Sequence, residues 1–288
     1  MTMDSNRALR NKIRSEETFC ITLVDWRGAL DAREVLDRFM KFFADAGRSP
    51  SVWLASSGPD QRMISGQPEI ERALREKAAA CFELTLTHER ADVRGTWDVS
   101  CFFYDANSEH EQTKGLSCLQ MAASSSLIKD TNSVSETIAR FVAERAEFAY
   151  GYAFTAAYGL DLETYGPGLA TSGALCPDLE DPYAWPRELR QAMSAHAPRP
   201  HQDGMLRFVY PRNFLSESLM RMRIDEVDLE TWIQEERVGY VKKSAPNLWT
   251  WDLNQAEQNA ARLALGPRGR LVAFRNLPRK IGNQGLVR

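Results

Sequence analysis

Apolar and polar positions change their period several times along this chain, and each change marks an element. TFCITLVDW, residues 18–26, is dense in apolar and β-branched side chains and predicts a strand, followed by a turn over Gly28 to Asp31. From Asp31 the period lengthens: Val35, Leu36, Phe39, Met40 and Phe43 recur at helical spacing until Gly47. SVWLAS predicts a short strand and GPDQRMISGQ a loop. Pro68 suits the first turn of a second helix, whose stripe runs through Ile70, Leu74 and Lys77 into the alanines at 78–80. FELTLTHE, TWDVSCFFYD and GLSCLQMAAS are three closely spaced strands, the last two separated by the polar loop ANSEHEQTK, and predict an antiparallel meander. Ser133 and Glu136 have capping-box spacing beside a helical face of Val134, Ile138, Phe141 and Val142. AYGYAFTAAYG then predicts a strand whose small residues let another element pack closely.

The pattern breaks over residues 157–204. Glycines stand at 159, 166, 168, 173 and 204, prolines at 167, 177, 182, 186, 198 and 200, and one short helix is predicted from Pro186 to about His196. A long irregular segment inside a compact protein is usually a functional loop or a connector, so the main boundary falls here. Beyond it the pattern predicts a strand over 206–210, a turn at Pro211, and helices near 214–222 and 228–235. A hairpin of VGYVKK with NLWTWDL, a helix over 254–264 and a strand over 270–275 complete it. The expected organisation is a flexible N-terminus (1–16), a first α+β unit (17–156), an irregular connector (157–204), a second α+β unit (205–276) and a basic flexible tail (277–288). The fold class is α+β, with antiparallel or mixed sheets and helices packed on one face. The second unit repeats the logic of the first on a smaller scale, as a diverged copy would, although no residue-level repeat is found.

Composition narrows the classes. Hydrophobic residues at 43% and charged residues at 26% exclude wholesale disorder and fibrous architectures. No apolar run approaches the roughly 20 residues of a membrane helix, and MTMDSNRALRNKIRSEE lacks the apolar core of a secretory signal. A cytoplasmic protein is therefore expected. Cys20, Cys81, Cys101, Cys118 and Cys176 are odd in number and mostly embedded in apolar runs, as reduced core residues would be. The net charge of -3 is unevenly spread. Asp225, Glu226, Asp228, Glu230, Glu235 and Glu236 follow one another with no base between Arg223 and Arg237, while no acid follows Glu257.

Candidate chemistry is sparse. His88, His110, His196 and His201 form no HxH, HExxH or related spacing, so they read as solvated surface residues, and the pattern calls for neither a metal nor a cofactor. Cys101 or Cys118 could meet His88 or His110 across neighbouring strands. Their apolar settings instead predict burial, which raises a thiol pKa and blocks access. YGLDLETYGPGLATSG lacks the spacing of a phosphate-binding loop and reads as a structural loop, which Tyr158, Asp161, Glu163 and Tyr165 would also equip for binding. The basic C-terminal segment carries no RNA-binding motif, and the acidic blocks before it oppose a polyanion, which argues against a nucleic-acid partner. In the acidic run, Asp228 can cap a helix with Leu229, Trp232 and Ile233 inward and Glu230, Glu235 and Glu236 outward. Such a run is usually only a solvated face; as a function, it would steer and hold a basic partner.

VYPRNFLS, DLETWI, the VGYV strand, LWTWDL and the short GRLVAF strand, all between residues 206 and 275, resemble the C-terminal half of immunity proteins from bacterial polymorphic-toxin and type VI secretion systems. Those proteins bind a cognate toxin and block it. The resemblance implies a non-enzymatic cytoplasmic inhibitor whose partner is a protein toxin or effector domain. It carries over no individual contact residue, so the toxin-binding candidates are those read above: Asp225, Glu226, Asp228, Glu230, Glu235 and Glu236, with Tyr158, Asp161, Glu163 and Tyr165. The alternative is a hydrolase or transferase with a site assembled from dispersed residues such as His88, Cys118, Asp161 and Glu163.

Overall fold

Strand β1 (Glu17–Val24) alternates side chains to two buried faces, and the whole molecule is built outward from it. The computed structural model describes residues 11–13, 15–57, 62–76, 81–93, 95–105, 117–158, 165, 179–181, 183, 184, 201 and 204–275. After β1 come α1 (Ala32–Asp45), β2 (Val52–Ser57), β3 (Arg62–Ser65), α2 (Gln67–Glu76), β4 (Cys81–Glu89), β5 (Trp97–Tyr104), β6 (Cys118–Ser124), α3 (Thr131–Ala143) and β7 (Tyr150–Ala157). The C-terminal part adds β8 (Arg212–Leu215), α4 (Glu217–Met220), β9 (Arg223–Ile224), β10 (Val227–Asp228), α5 (Leu229–Glu236), β11 (Tyr240–Ala245), β12 (Leu248–Asp252) and α6 (Gln255–Leu265). The described strands form a ten-stranded sheet in the order β11-β12-β8-β7-β1-β6-β5-β4-β2-β3, and a separate ribbon of β9 and β10. Neighbouring strands of the large sheet are antiparallel throughout, and β4, β5 and β6 form the predicted meander.

Because successive strand side chains point to opposite faces, the sheet has a core on each side. Phe19, Ile21 and Leu23 face α1, α2 and α3, packing with Val35, Phe39, Phe43, Ile70, Ile138 and Val142. Cys20 and Val24 face the other way, into a cluster with Tyr150, Tyr152, Leu219, Leu229, Trp232, Trp251, Ala261 and Leu265. The fold is thus α+β. Helices of residues 17–156 share one face, and those of the C-terminal part cover the opposite face. The cause is the pairing of β7 with β8, Tyr150 opposite Leu215, which adds the C-terminal strands to the same sheet. Gly151 permits a close approach there: a Cβ at this position would collide with the Leu23 side chain and lie 2.9 Å from the Thr22 carbonyl oxygen.

Several local expectations shift. Residues 62–65, expected in a loop, form the edge strand β3 against β2. Residues 206–210, expected as a strand, make only an isolated bridge, Leu206 with Leu271, because of these five only Leu206 and Arg207 bond to the backbone of residues 270–273. The strand expected over 270–275 is likewise reduced to bridges, the second being Glu180 with Phe274. The helix expected near 214–222 shrinks to one turn capped by Ser216. Asp130 rather than Ser133 caps α3, since its carboxylate accepts from the Ser133 backbone N–H at 2.9 Å and starts the helix earlier. A full capping box occurs instead at α6, between Asn254 and Glu257. The helix expected over 186–196 lies outside the described residues. Among the described residues no helix is long and apolar enough to cross a membrane.

Candidate functional site

Antiparallel register brings the start of β1, the ends of β4 and β6 and the start of β5 to one rim of the sheet, with the C-terminus of α1 beside them. Two adjoining hollows open there and share Arg48, Arg90 and Asp98 in their walls. One, of about 400 Å³, also takes in Glu16, Glu17 and Ser124 to Ser126. The other, of about 610 Å³, takes in His88 and Asp92.

Asp98 organises this cleft. Its side chain is 8% exposed, and each carboxylate oxygen has a partner: Oδ1 lies 2.8 Å from His88 Nδ1 and Oδ2 accepts from Arg48 Nε at 2.7 Å. Gly47, at φ +65, ends α1 in a left-handed turn that delivers Arg48 to the rim. A register shift between His88 and Glu89 accompanies the end of β4. Arg90 donates through Nη1 to Glu16 at 2.7 Å, stands 3.7 Å from Asp92, and is fixed through its backbone N–H to Thr96 at 2.9 Å. Burial opposes the Arg90 charge, but the Glu16 hydrogen bond and the carboxylates of Glu16, Asp92 and Asp98 outweigh it and hold the guanidinium pKa above its ordinary value. The arrangement is a mixed-charge cleft whose wall side chains are fixed by ion pairs. Among the described residues, no group of three or more His, Cys, Asp or Glu side chains is placed to hold a metal.

The acidic run is partly absorbed into the fold. Asp225 sits at φ 53 in the β9–β10 turn and pairs with Arg268 at 3.0 Å. Asp228 caps α5, accepting from the Thr231 N–H at 2.8 Å, and that bond lowers its pKa. Glu226, Glu235 and Glu236 are exposed and Glu230 is half-buried. Leu229, Trp232 and Ile233 face the core as expected. Of the loop candidates, Tyr158 and Tyr165 do not join this surface. The Tyr158 hydroxyl accepts from the Trp97 N–H at 3.1 Å while its ring meets the Trp97 ring edge-on at 5.0 Å. Tyr165 is fully buried, which corrects its assignment as a surface contact. Asp161 and Glu163 lie outside the described residues.

Tyr165 is buried because its hydroxyl donates to Glu180, within a polar network on the second face of the sheet. Glu180 and Arg207 are each 1% exposed and pair at 3.4 Å. Arg207 also donates to the Tyr152 hydroxyl at 2.5 Å and to the Tyr165 carbonyl at 2.8 Å, with its guanidinium 4.4 Å from the Tyr165 ring. Tyr210 stacks on Tyr152 at 4.1 Å, and burial holds the Tyr165 and Tyr210 hydroxyls well above the ordinary range, so they remain neutral donors. His201 is buried against Tyr150, with Nδ1 2.8 Å from the Met205 carbonyl. The surface reading thus fails for His201, and for His88, which is half-buried in its pair with Asp98. His110 and His196 lie outside the described residues.

Among the described residues no cysteine nucleophile is assembled. Cys20, Cys101 and Cys118 are free and buried. Burial pushes the Cys20 thiol up to about 12 and likewise raises Cys101 and Cys118 above the ordinary range. Cys118 lies opposite Tyr104, whereas His88 lies opposite Val99 toward the other end of β5. Arg48, Arg90 and Asp98 escaped the sequence reading because strand register, not spacing, unites them. The available signal was Asp98 itself, a charge inside the otherwise apolar strand TWDVSCFFYD, which must find a partner if buried.

No known protein-family model matches the chain, and no curated protein matches it in sequence. Among solved structures, the Pseudomonas aeruginosa T6SS protein PA0821 is similar, with a TM-score of 0.53 at 13% identity over 89% of this chain and 73% of that one. At this identity the likeness is one of fold.

Proposed function

We propose that this chain is an immunity-type protein that binds and neutralises a toxin or effector of a type VI secretion system. The observation that carries the reading is the fold it shares, over 89% of its length, with a T6SS protein. The resemblance over residues 206–275 to immunity proteins of such systems supports it independently. The surface chemistry is compatible: exposed Glu226, Glu235 and Glu236 and half-buried Glu230 gather around α5, and acids line the rim cleft, so both places favour a basic protein partner. Neutralisation then needs no chemistry from this chain. It follows from a rigid scaffold occupying the toxin's working surface. The enzyme alternative gains nothing from the geometry, because His88 and Cys118 lie apart and Cys118 is buried.

The test is co-expression with the product of the adjacent gene, followed by co-purification and a growth-protection assay. A stable complex and rescued growth are expected. The Glu230→Lys, Glu235→Lys double variant should weaken association by about tenfold at low salt, the scale of electrostatic steering, and less at high salt. A chain that neither binds nor protects defeats the reading. An unchanged affinity in the double variant removes the α5 face from it.

A further inference from the structure

The rim cleft has a construction that a merely solvated surface does not need. Asp98 is buried at its floor and aims two cleft-wall side chains, Arg48 and His88, while Glu16 and the Thr96 carbonyl fix Arg90. Walls held this way lose little conformational freedom when a ligand arrives. We infer that this cleft receives a lysine- or arginine-bearing loop of the protein partner, its cationic side chain drawn by the exposed carboxylates, Glu17 in one hollow and Asp92 in the other, and its backbone against Arg48 and Arg90. The inference rests on the toxin-binding reading and names the segment that the partner would contribute.

Two independent features select that occupant. The first is charge. Four carboxylates, Glu16, Glu17, Asp92 and Asp98, line the cleft against the two guanidiniums of Arg48 and Arg90. Asp98 is matched by Arg48 and Glu16 by Arg90, each at 2.7 Å. Asp92 is 52% exposed and reaches Arg90 only at 3.7 Å, and Glu17 has no ion-pair partner among the described residues. A negative field is left at the mouth, which attracts a cation and repels phosphate.

The second feature is the open donors on the arginines. Arg48 uses Nε on Asp98 and Nη1 on the Gly47 carbonyl at 3.3 Å, and Arg90 uses Nη1 on Glu16. Each guanidinium carries five N–H donors, so both keep donors for further acceptors. Neutral carbonyl oxygens satisfy them without adding negative charge, and a peptide backbone supplies such oxygens beside its own side chain. A bare metal ion needs several ligands converging on one point, and among the described residues no group of three or more His, Cys, Asp or Glu side chains is so placed. The hollows, at about 400 and 610 Å³, lie in the size range of ligand pockets and admit a long basic side chain with its flanking peptide groups.

Titration of the isotope-labelled full chain, followed by amide chemical shifts, tests this. The probe is N-acetyl-arginine N-methylamide, with N-acetyl-glutamate N-methylamide and inorganic phosphate as comparisons. Saturable millimolar shifts confined to the rim, including Asp92 and Ser124 to Ser126, are expected for the arginine probe. They should vanish in the Glu17→Lys, Asp92→Lys variant, whose altered side chains are both exposed and whose thermal unfolding should match the parent. Equal shifts with phosphate or glutamate, shifts spread over all acidic surfaces, or shifts that survive in the variant overturn the assignment. Binding to the adjacent gene's product supplies the second arm, with at least tenfold weakening expected in the same variant. Unchanged affinity there refutes the cleft as the docking point while leaving toxin binding intact. A parent chain that does not bind defeats the toxin reading, and the arginine titration then decides the cleft by itself.

Discussion

Replacing Arg207 with methionine leaves the Glu180 carboxylate in a site that is 1% exposed, and the cost can be worked from its surroundings. Removing one partner of a buried pair typically costs about 3–5 kcal/mol, because the remaining charge is neither solvated nor matched. Hydroxyl donors from Tyr165 and Tyr210 still reach Glu180, which places the expected loss toward the lower end, about 3 kcal/mol. At roughly 2–4 °C per kcal/mol for a chain of this size, the unfolding midpoint should fall by about 6–12 °C. The companion variant Glu180→Gln with Arg207→Met removes both charges while the amide keeps an acceptor for the tyrosine hydroxyls. It should therefore cost at least about 1–2 kcal/mol less than the sum of the two single changes, a coupling within the usual range for residues in contact. Urea unfolding followed by tryptophan fluorescence and circular dichroism gives all four corners of the cycle. A single-variant cost under about 1 kcal/mol, or an additive cycle, would refute the claim that a coupled buried pair ties Glu180 and Tyr165 to the sheet.

Gly151→Ala should destabilise by about 1–3 kcal/mol, the cost of overpacking, since the added Cβ meets Leu23 and the Thr22 backbone; a neutral result in urea unfolding would contradict the close approach of β7 to β1. Burial lowers the His201 pKa, so the unfolded chain binds the proton more readily than the folded one. Stability should be full above the ordinary histidine value of about 6.5 and fall as pH drops through and below it. A His201→Phe variant, compared with the parent by pH-dependent unfolding, should lose that part of the slope. Asp228→Ala should cost about 1 kcal/mol through the lost cap of α5, whereas Glu235→Lys on the same helix should change stability by less than about 0.5 kcal/mol. Thermal unfolding of the two variants separates the structural acid from the surface acid before any binding is measured.

Most elements were legible because their signals are local. Val35, Leu36, Phe39 and Phe43 repeat at the helical period behind Asp31, and the structure adds that the Asp31 side chain caps α1. The dense apolar and β-branched residues of TFCITLVDW mark β1, and the hairpin pattern of VGYVKK with NLWTWDL marks β12, without reference to any neighbour. Where local signals competed, the tertiary structure chose. Asp130 outcompeted Ser133 as a cap, and residues 206–210 form no strand because only Leu206 and Arg207 among them bond to the backbone of 270–273. Residues 62–65 became a strand because β2 offered an unpaired edge.

The sequence by itself therefore determined the α+β class, the meander, the C-terminal hairpin and the outward acids of α5. It did so because burial patterns with periods of 2 and 3.6 residues are written into consecutive positions. Only the tertiary structure decided that the C-terminal strands continue the first sheet, that their helices cover its opposite face, and that Tyr165 is buried on Glu180 beside Arg207. It also decided the rim cleft, where Arg48, His88, Arg90 and Asp98 meet. Nothing in a polar residue's own position says whether it will face water or a distant partner. That depends on strand register and on chain segments far away in sequence, and the energy of a buried charge exists only once those segments have closed around it.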